Sequence, residues 1–141
     1  MKEKDIMDLE VYKIKNNDWQ IVNEGKNIIL KLLAYKLSYW TDSSYLNVVI
    51  EKESKTKHII IEWNSSDLVF ETHKTFFKFD SELPDNLDCL ASDDKKSSII
   101  IDTDFVYDNL LKYNILIVRS SLQKSKTTRI FDISKFREII I

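Results

Sequence analysis

From Tyr45 onward the chain repeats one device: a short run of β-branched and aromatic residues, a polar turn, then another run. YLNVVIEK at 45–52, HIIIEW at 58–63, LVFET at 68–72, TFFKFD at 75–80, SSIII at 97–101, NILIVRS at 114–120 and KTTRIFDI at 126–133 all read as strands. Side chains of an extended chain alternate between two faces, and evenly spaced short strands pack as antiparallel layers. The pattern predicts a mainly β chain, an antiparallel β-sandwich with one or two short helices, in one domain over residues 1–141. HIIIEW is apolar on both faces, as a central strand would be.

The remaining segments are less regular. Residues 8–15 and 18–22 suggest two further short strands, and 27–40 fits both strand and helix periodicity. In 102–113, Asp102 or Thr103 stands as a cap before Val106, Leu110 and Tyr113 at helical spacing, which predicts a helix. Ser134 precedes a terminal helical turn over 134–141, and the stretch 81–97 reads as the longest loop.

One glycine and one proline in 141 residues leave the turns to Asn, Asp, Ser and Lys. With Gly25 alone there is no glycine-rich phosphate loop, so a dinucleotide fingerprint and a Walker-type loop are excluded. A net charge of -2 argues against a nucleic-acid binder; Lys124, Lys126 and Arg129 form the one candidate basic patch. Cys89 is the single cysteine, so no internal disulfide forms, and a buried structural thiol is expected. The opening MKEKDIMDLE has no apolar run behind it, and IILKLLAYKL at 28–37 holds two lysines and is too short to span a bilayer. A cytoplasmic location without membrane contact is the expectation.

Candidate chemistry is sparse. His58 and His73, the only histidines, bracket the stretch HIIIEWNSSDLVFETH. If 58–63 and 68–73 pair as a hairpin across a four-residue loop, His58 faces His73, with Ile60 opposite Glu71 and Glu62 opposite Val69. Ile59, Ile61, Trp63, Leu68, Phe70 and Thr72 then form the core side. Cross-strand partners lie about 5 Å apart at Cβ, within reach of a zinc site built from His58, Glu71 and His73, or of a mild pH sensor. Against this stands the plainer reading of a solvated sheet face. No nucleophile elbow surrounds any serine, and Asp93 and Asp94 sit beside Lys95 and Lys96 in a polar loop. Tyr39, Trp40 and Tyr45 cluster around a TDSS turn, a composition common in both cores and protein interfaces.

In the second half, TKHIIIEW, HKTFFKFDSEL, SDDKKSSIIIDTDFVYDNLLKYNILIVR and TTRIFDISKF follow in an order that resembles the TagO/VasI group of type VI secretion-associated proteins and, more distantly, IalB-like proteins. The units carrying it are Phe77-Lys78-Phe79-Asp80, Ser92-Asp93-Asp94 and Phe131-Asp132-Ile133-Ser134, over about residues 45–140. The resemblance implies a β-sandwich with a non-catalytic binding role in a secretion system; prophage and mobile-element proteins share the rhythm. This chain departs from the group in showing no leader and only one cysteine.

The expectation is a protein-binding module without enzymatic activity or cofactor. Its partner would be an apparatus component, a toxin, or another phage or bacterial protein. The surface would be Tyr39, Trp40 and Tyr45, or the acidic loop at Asp93 and Asp94 docking a basic partner. The rivals are a metal binder or metal-dependent hydrolase using the histidine pair, and a toxin-neutralising immunity protein. Oligomeric state is not legible, because sheet edges invite pairing and the sequence does not say which strands are edges.

Overall fold

The structure is a computed structural model and describes residues 19–35, 43–64, 66–122 and 126–139. Among the described residues, nine strands and two short helices follow in the order β1 (Gln20–Glu24), β2 (Asn27–Leu33), β3 (Tyr45–Glu51), β4 (Lys57–Glu62), β5 (Thr72–Phe79), β6 (Asp85–Ala91), β7 (Ser97–Ile100), α1 (Thr103–Leu110), β8 (Ile115–Ser121), β9 (Lys126–Asp132) and α2 (Phe136–Ile139). The mainly β, antiparallel class with two short helices is as the sequence predicts.

All nine strands belong to one sheet, ordered β1-β2-β3-β4-β7-β6-β5-β8-β9. The two layers are thus halves of a single curled sheet. Just past β2, Tyr35 bridges to Ile130 of β9, its N–H donating to the Ile130 carbonyl at 2.7 Å. Chain from one end of the strand order therefore meets the strand at the other end. One apolar cluster fills the enclosed space, with Leu32, Leu46, Ile59, Ile61, Phe77, Leu116 and Phe131 fully buried. Burying each such side chain contributes roughly 1.5–3 kcal/mol.

Alternation sets the inward face on β4 and β5, whereas β8 and β9 are buried along most of their length on both faces. On β4, Ile59 and Ile61 are buried while His58 is exposed. On β5, Thr75, Phe77 and Phe79 face inward.

The helices close the end of the sheet where β5 and β9 finish. Asp102 caps α1, accepting from the Phe105 N–H at 3.3 Å, and Val106 and Leu110 on one face are completely buried. Phe105 and Tyr113 pack on Phe79, and Tyr107 packs on Phe136, which also meets Trp19. Ser134 is tied to Asp132, its hydroxyl donating to Oδ1 at 2.6 Å. At the opposite end, the chain after β4 crosses over: Leu68, almost fully buried, bridges to Leu122, and its N–H donates to the Lys95 carbonyl.

Two readings of the sequence are corrected. Of residues 68–72, only Thr72 belongs to a strand, as the first residue of β5; 68–71 are this crossing segment, with Val69 and Phe70 exposed. Residues 85–91, read as loop, form β6, which begins just after Pro84 and sits between β7 and β5. Asp85, Asn86 and Asp88 are poor strand formers, and only Cys89 on this strand is buried, so local preference hid it. The ambiguous 27–40 is a strand as far as Leu33, while the strand expected at 8–15 lies outside the described residues.

Candidate functional site

The hairpin that would face His58 with His73 does not form. β4 spends both edges, on β3 and on β7, and β5 pairs with β6 and β8. Two strands, β7 and β6, therefore separate the histidines. His58 lies opposite Val49 on the outer face, its Nε2 2.9 Å from Glu51 Oε2. His73 lies opposite Cys89 on the inward-facing row of β5. Glu71 precedes the strand, its carbonyl accepting from the Ala91 N–H. The zinc reading and the pH-sensor reading of the pair both required that register, and both fall with it. Among the described residues no three His, Cys, Asp or Glu side chains are grouped to hold a metal ion.

His73 makes a different contact, which the sequence did not suggest. Its Nε2 is 2.7 Å from Ser98 Oγ, and Trp63 Nε1–H donates to the same oxygen at 2.8 Å. A serine within hydrogen-bond reach of an imidazole is the opening of a nucleophile–base pair. Here Ser98 and Trp63 are both 0% exposed, so no substrate carbonyl reaches the hydroxyl. No carboxylate orients the ring, because buried Nδ1 has no hydrogen-bond partner. Burial holds the His73 pKa below the ordinary imidazole value; the backbones of Glu71 and Phe70 pull the other way without making a hydrogen bond to Nδ1. Next to it, Cys89 is buried, donates to Thr75 Oγ1 at 3.3 Å, and has its pKa pushed up to about 11 by that burial. A thiol so protonated is a packing group rather than a nucleophile.

The acidic loop is a self-contained turn between β6 and β7. Asp94 Oδ1 accepts from the Ser92 hydroxyl at 2.7 Å and from the Lys96 N–H at 3.0 Å. The Ser92 bond, first of all, holds the Asp94 carboxyl below its usual range. Lys96 in turn pairs with Asp67 at 2.7 Å. Asp94 thus fixes the turn, and Asp93 stands exposed beside it. Tyr39 and Trp40 lie outside the described residues. Tyr45 is half-buried at the start of β3 with the Lys31 ammonium 4.3 Å from its ring centre.

What the structure brings together is an apolar row on the outer face. Paired residues of an antiparallel sheet share a face, and Ile60, Ile99 and Leu90 pair in succession across β4, β7 and β6, with Thr72 next on β5. Leu90 is 41% exposed. Ile101, two residues beyond Ile99, is 57% exposed. Thr72, Lys74, Asp88 and Ile101 border a depression of about 360 Å³ beside the row. Polar pairs flank the row on the same face: the ion pairs Lys31–Glu62 at 3.2 Å and Lys74–Asp88 at 3.0 Å, and the hydrogen-bond contact of His58 with Glu51. Asn47 also donates to Glu62 at 2.8 Å, and Tyr45, opposite Glu62, stands on this same flank. The signal in the sequence was the pair of triple-isoleucine runs at 59–61 and 99–101, apolar on both faces where a half-wet sheet needs only one.

The candidate basic patch is rearranged. Arg129 turns inward, 6% exposed, its Nε donating to Ser44 Oγ at 3.0 Å. Lys124 lies outside the described residues. Lys126 instead joins Lys74 and Arg119 around a second, smaller groove of about 180 Å³.

No helix among the described residues is long and apolar enough to cross a membrane. No protein family, curated protein or solved structure matches the chain, so the resemblance noted in its second half brings no residue into the site.

Proposed function

We propose that the chain is a non-catalytic protein-binding module and that the outer face of β4, β7 and β6 is its docking surface. The observation that carries this is the contiguous row Ile60, Ile99 and Leu90, extended by exposed Ile101 and flanked by ion pairs. Single exposed apolar residues are ordinary, whereas a run across adjacent strands is the mark of an interaction surface. An apolar centre with a polar rim is the anatomy of a protein interface. The buried Ser98 and the protonated Cys89 supply no accessible nucleophile, which favours binding over catalysis. A role as a secretion-system or phage accessory protein is compatible with this surface and rests on the sequence resemblance alone.

The test is comparative capture from the native host, using wild type and a Leu90→Glu/Ile101→Glu variant. Both positions are exposed, so the variant keeps its circular-dichroism spectrum. The expected result is a defined set of proteins held by wild type and lost by the variant. Retention of the same set by the variant would place docking elsewhere.

A further inference from the structure

Strand β1 ends the strand order and pairs with β2. Glu24 and Asn27 close the two-residue hairpin loop as a hydrogen-bonded pair, and such pairs alternate along an antiparallel ladder. Gln20, Val22 and Glu24 therefore bond to β2, while the N–H and C=O groups of Ile21 and Asn23 point away from it. Among the described residues no strand lies along that side. Every residue of β1 is exposed, Ile21 at 59% and Val22 at 40%. Native edges are commonly blunted by lysine, proline or a bulge. QIVNE carries neither residue, and its register with β2 runs unbroken from Gln20 to Glu24. The other end of the order differs: β9 is buried at every position after Lys126, and Tyr35 bridges to it.

We propose that β1 is the seam of a homodimer, in which a second copy of this chain adds its own β1 antiparallel across a two-fold axis at Val22. The strand is self-complementary about that point. Ile21 meets Asn23 of the second copy, and these are the residues whose backbone groups face the seam, so each such pair exchanges both of its hydrogen bonds. At the axis Val22 lies against Val22 of the second copy. Gln20 meets Glu24, so the one charge of the strand faces an amide donor and never a like charge. The axis stands perpendicular to the sheet and keeps its faces. Ile21, on the side of buried Leu30, therefore lies diagonal to its own copy and loses exposed apolar surface. Moving the axis to Asn23 spoils the match, setting Glu24 opposite Val22 and Ile21 opposite Gly25. A second copy satisfies the two-fold symmetry by construction, which an unrelated strand does not. The seam is short, so the association is reversible. It lies apart from the outer face of β4, β7 and β6 and leaves that face open to a different partner.

Sedimentation equilibrium on the full chain tests this. Wild type is expected to show a concentration-dependent exchange between monomer and dimer. Val22→Lys and Val22→Glu each set like charges across the axis and are expected to weaken dimerisation roughly tenfold, whereas an equal mixture of the two variants recovers it. The Leu90→Glu/Ile101→Glu variant, altered on the outer face, is expected to dimerise as wild type does. Cross-linking gives a second reading, because the native thiol, Cys89, is buried. Oxidation should link two copies of Val22→Cys and leave Glu24→Cys, which faces Gln20, unlinked. A wild-type chain that stays monomeric across the accessible concentration range overturns the proposal. So does a dimer that both charged variants keep, a mixture no tighter than either variant alone, or equal linking of the two cysteine variants. Loss of the dimer in Leu90→Glu/Ile101→Glu also overturns it, by moving the contact to the outer face.

Discussion

Ser98 is the residue on which the interior of one end of the sheet depends. Its hydroxyl meets the Trp63 indole N–H, just past the adjoining β4, and His73 Nε2 of β5, on the far side of β6. The simplest proton arrangement has Trp63 donating to Ser98 and Ser98 donating to a neutral His73. A neutral ring is what burial demands, since it holds the His73 pKa below the ordinary 6.5. The unfolded chain then takes up a proton near pH 6.5 that the folded chain refuses until the pH is lower. Below about pH 6.5 the unfolded state binds more protons, so folding stability declines as pH falls and levels off past the folded-state pKa. Urea denaturation between neutral and mildly acidic pH should show this loss in wild type and a smaller one in His73→Gln. Parallel profiles for the two proteins would contradict it. Nothing in the sequence singled His73 out from His58 as the inward one. A bend in the crossing segment before β5 resets the alternation, and phase cannot be counted through a bend.

At the level of elements, the β1–β2 hairpin shows what a scarce residue is for. Glu24 pairs with Asn27, leaving a two-residue loop of Gly25 and Lys26, with Gly25 at φ +62. Two-residue hairpin loops need a positive φ at their first position, and the chain places its only glycine there. A Cβ at Gly25 would meet nothing within 4 Å, so Gly25→Ala pays only for the backbone conformation. The expected loss is about 1–2 kcal/mol in chemical denaturation; a neutral result would mean that the hairpin tip relaxes freely. Elsewhere Lys55, Asn64, Asp80 and Lys95 take positive φ without being glycine. At Asp80 the side chain compensates, accepting from the Ile115 N–H at 2.7 Å and from the Asn114 N–H. The strands rich in Ile and Val and the capped helix α1 were legible because their own residues favour them. β6 was not, because its stability comes from the neighbours on either side.

Closure decides the whole molecule. Tyr35 bridges to β9, and Arg129 of β9 reaches Ser44 just ahead of β3, whose hydroxyl donates on to the Trp63 carbonyl at 2.6 Å. Ser44 is 1% exposed, so water cannot replace what it supplies. Ser44→Ala is expected to cost about 1–3 kcal/mol, because it leaves a buried donor and a buried acceptor short of a partner. Unfolding should stay a single transition, since one core spans both halves of the sheet. A change under about 0.5 kcal/mol, the range of ordinary surface substitutions, would show that the seam contributes nothing. By itself the sequence determined the class and the identity of most strands, because alternation and β-branching are local properties of each segment. Only the tertiary structure decided which strands are neighbours. That order put two strands between the histidines, turned Arg129 inward, and set Ile60, Ile99 and Leu90 side by side on an outer face that no count along the chain could assemble. Pairing between distant segments depends on which edges are already taken, and the residues within a strand do not carry that information.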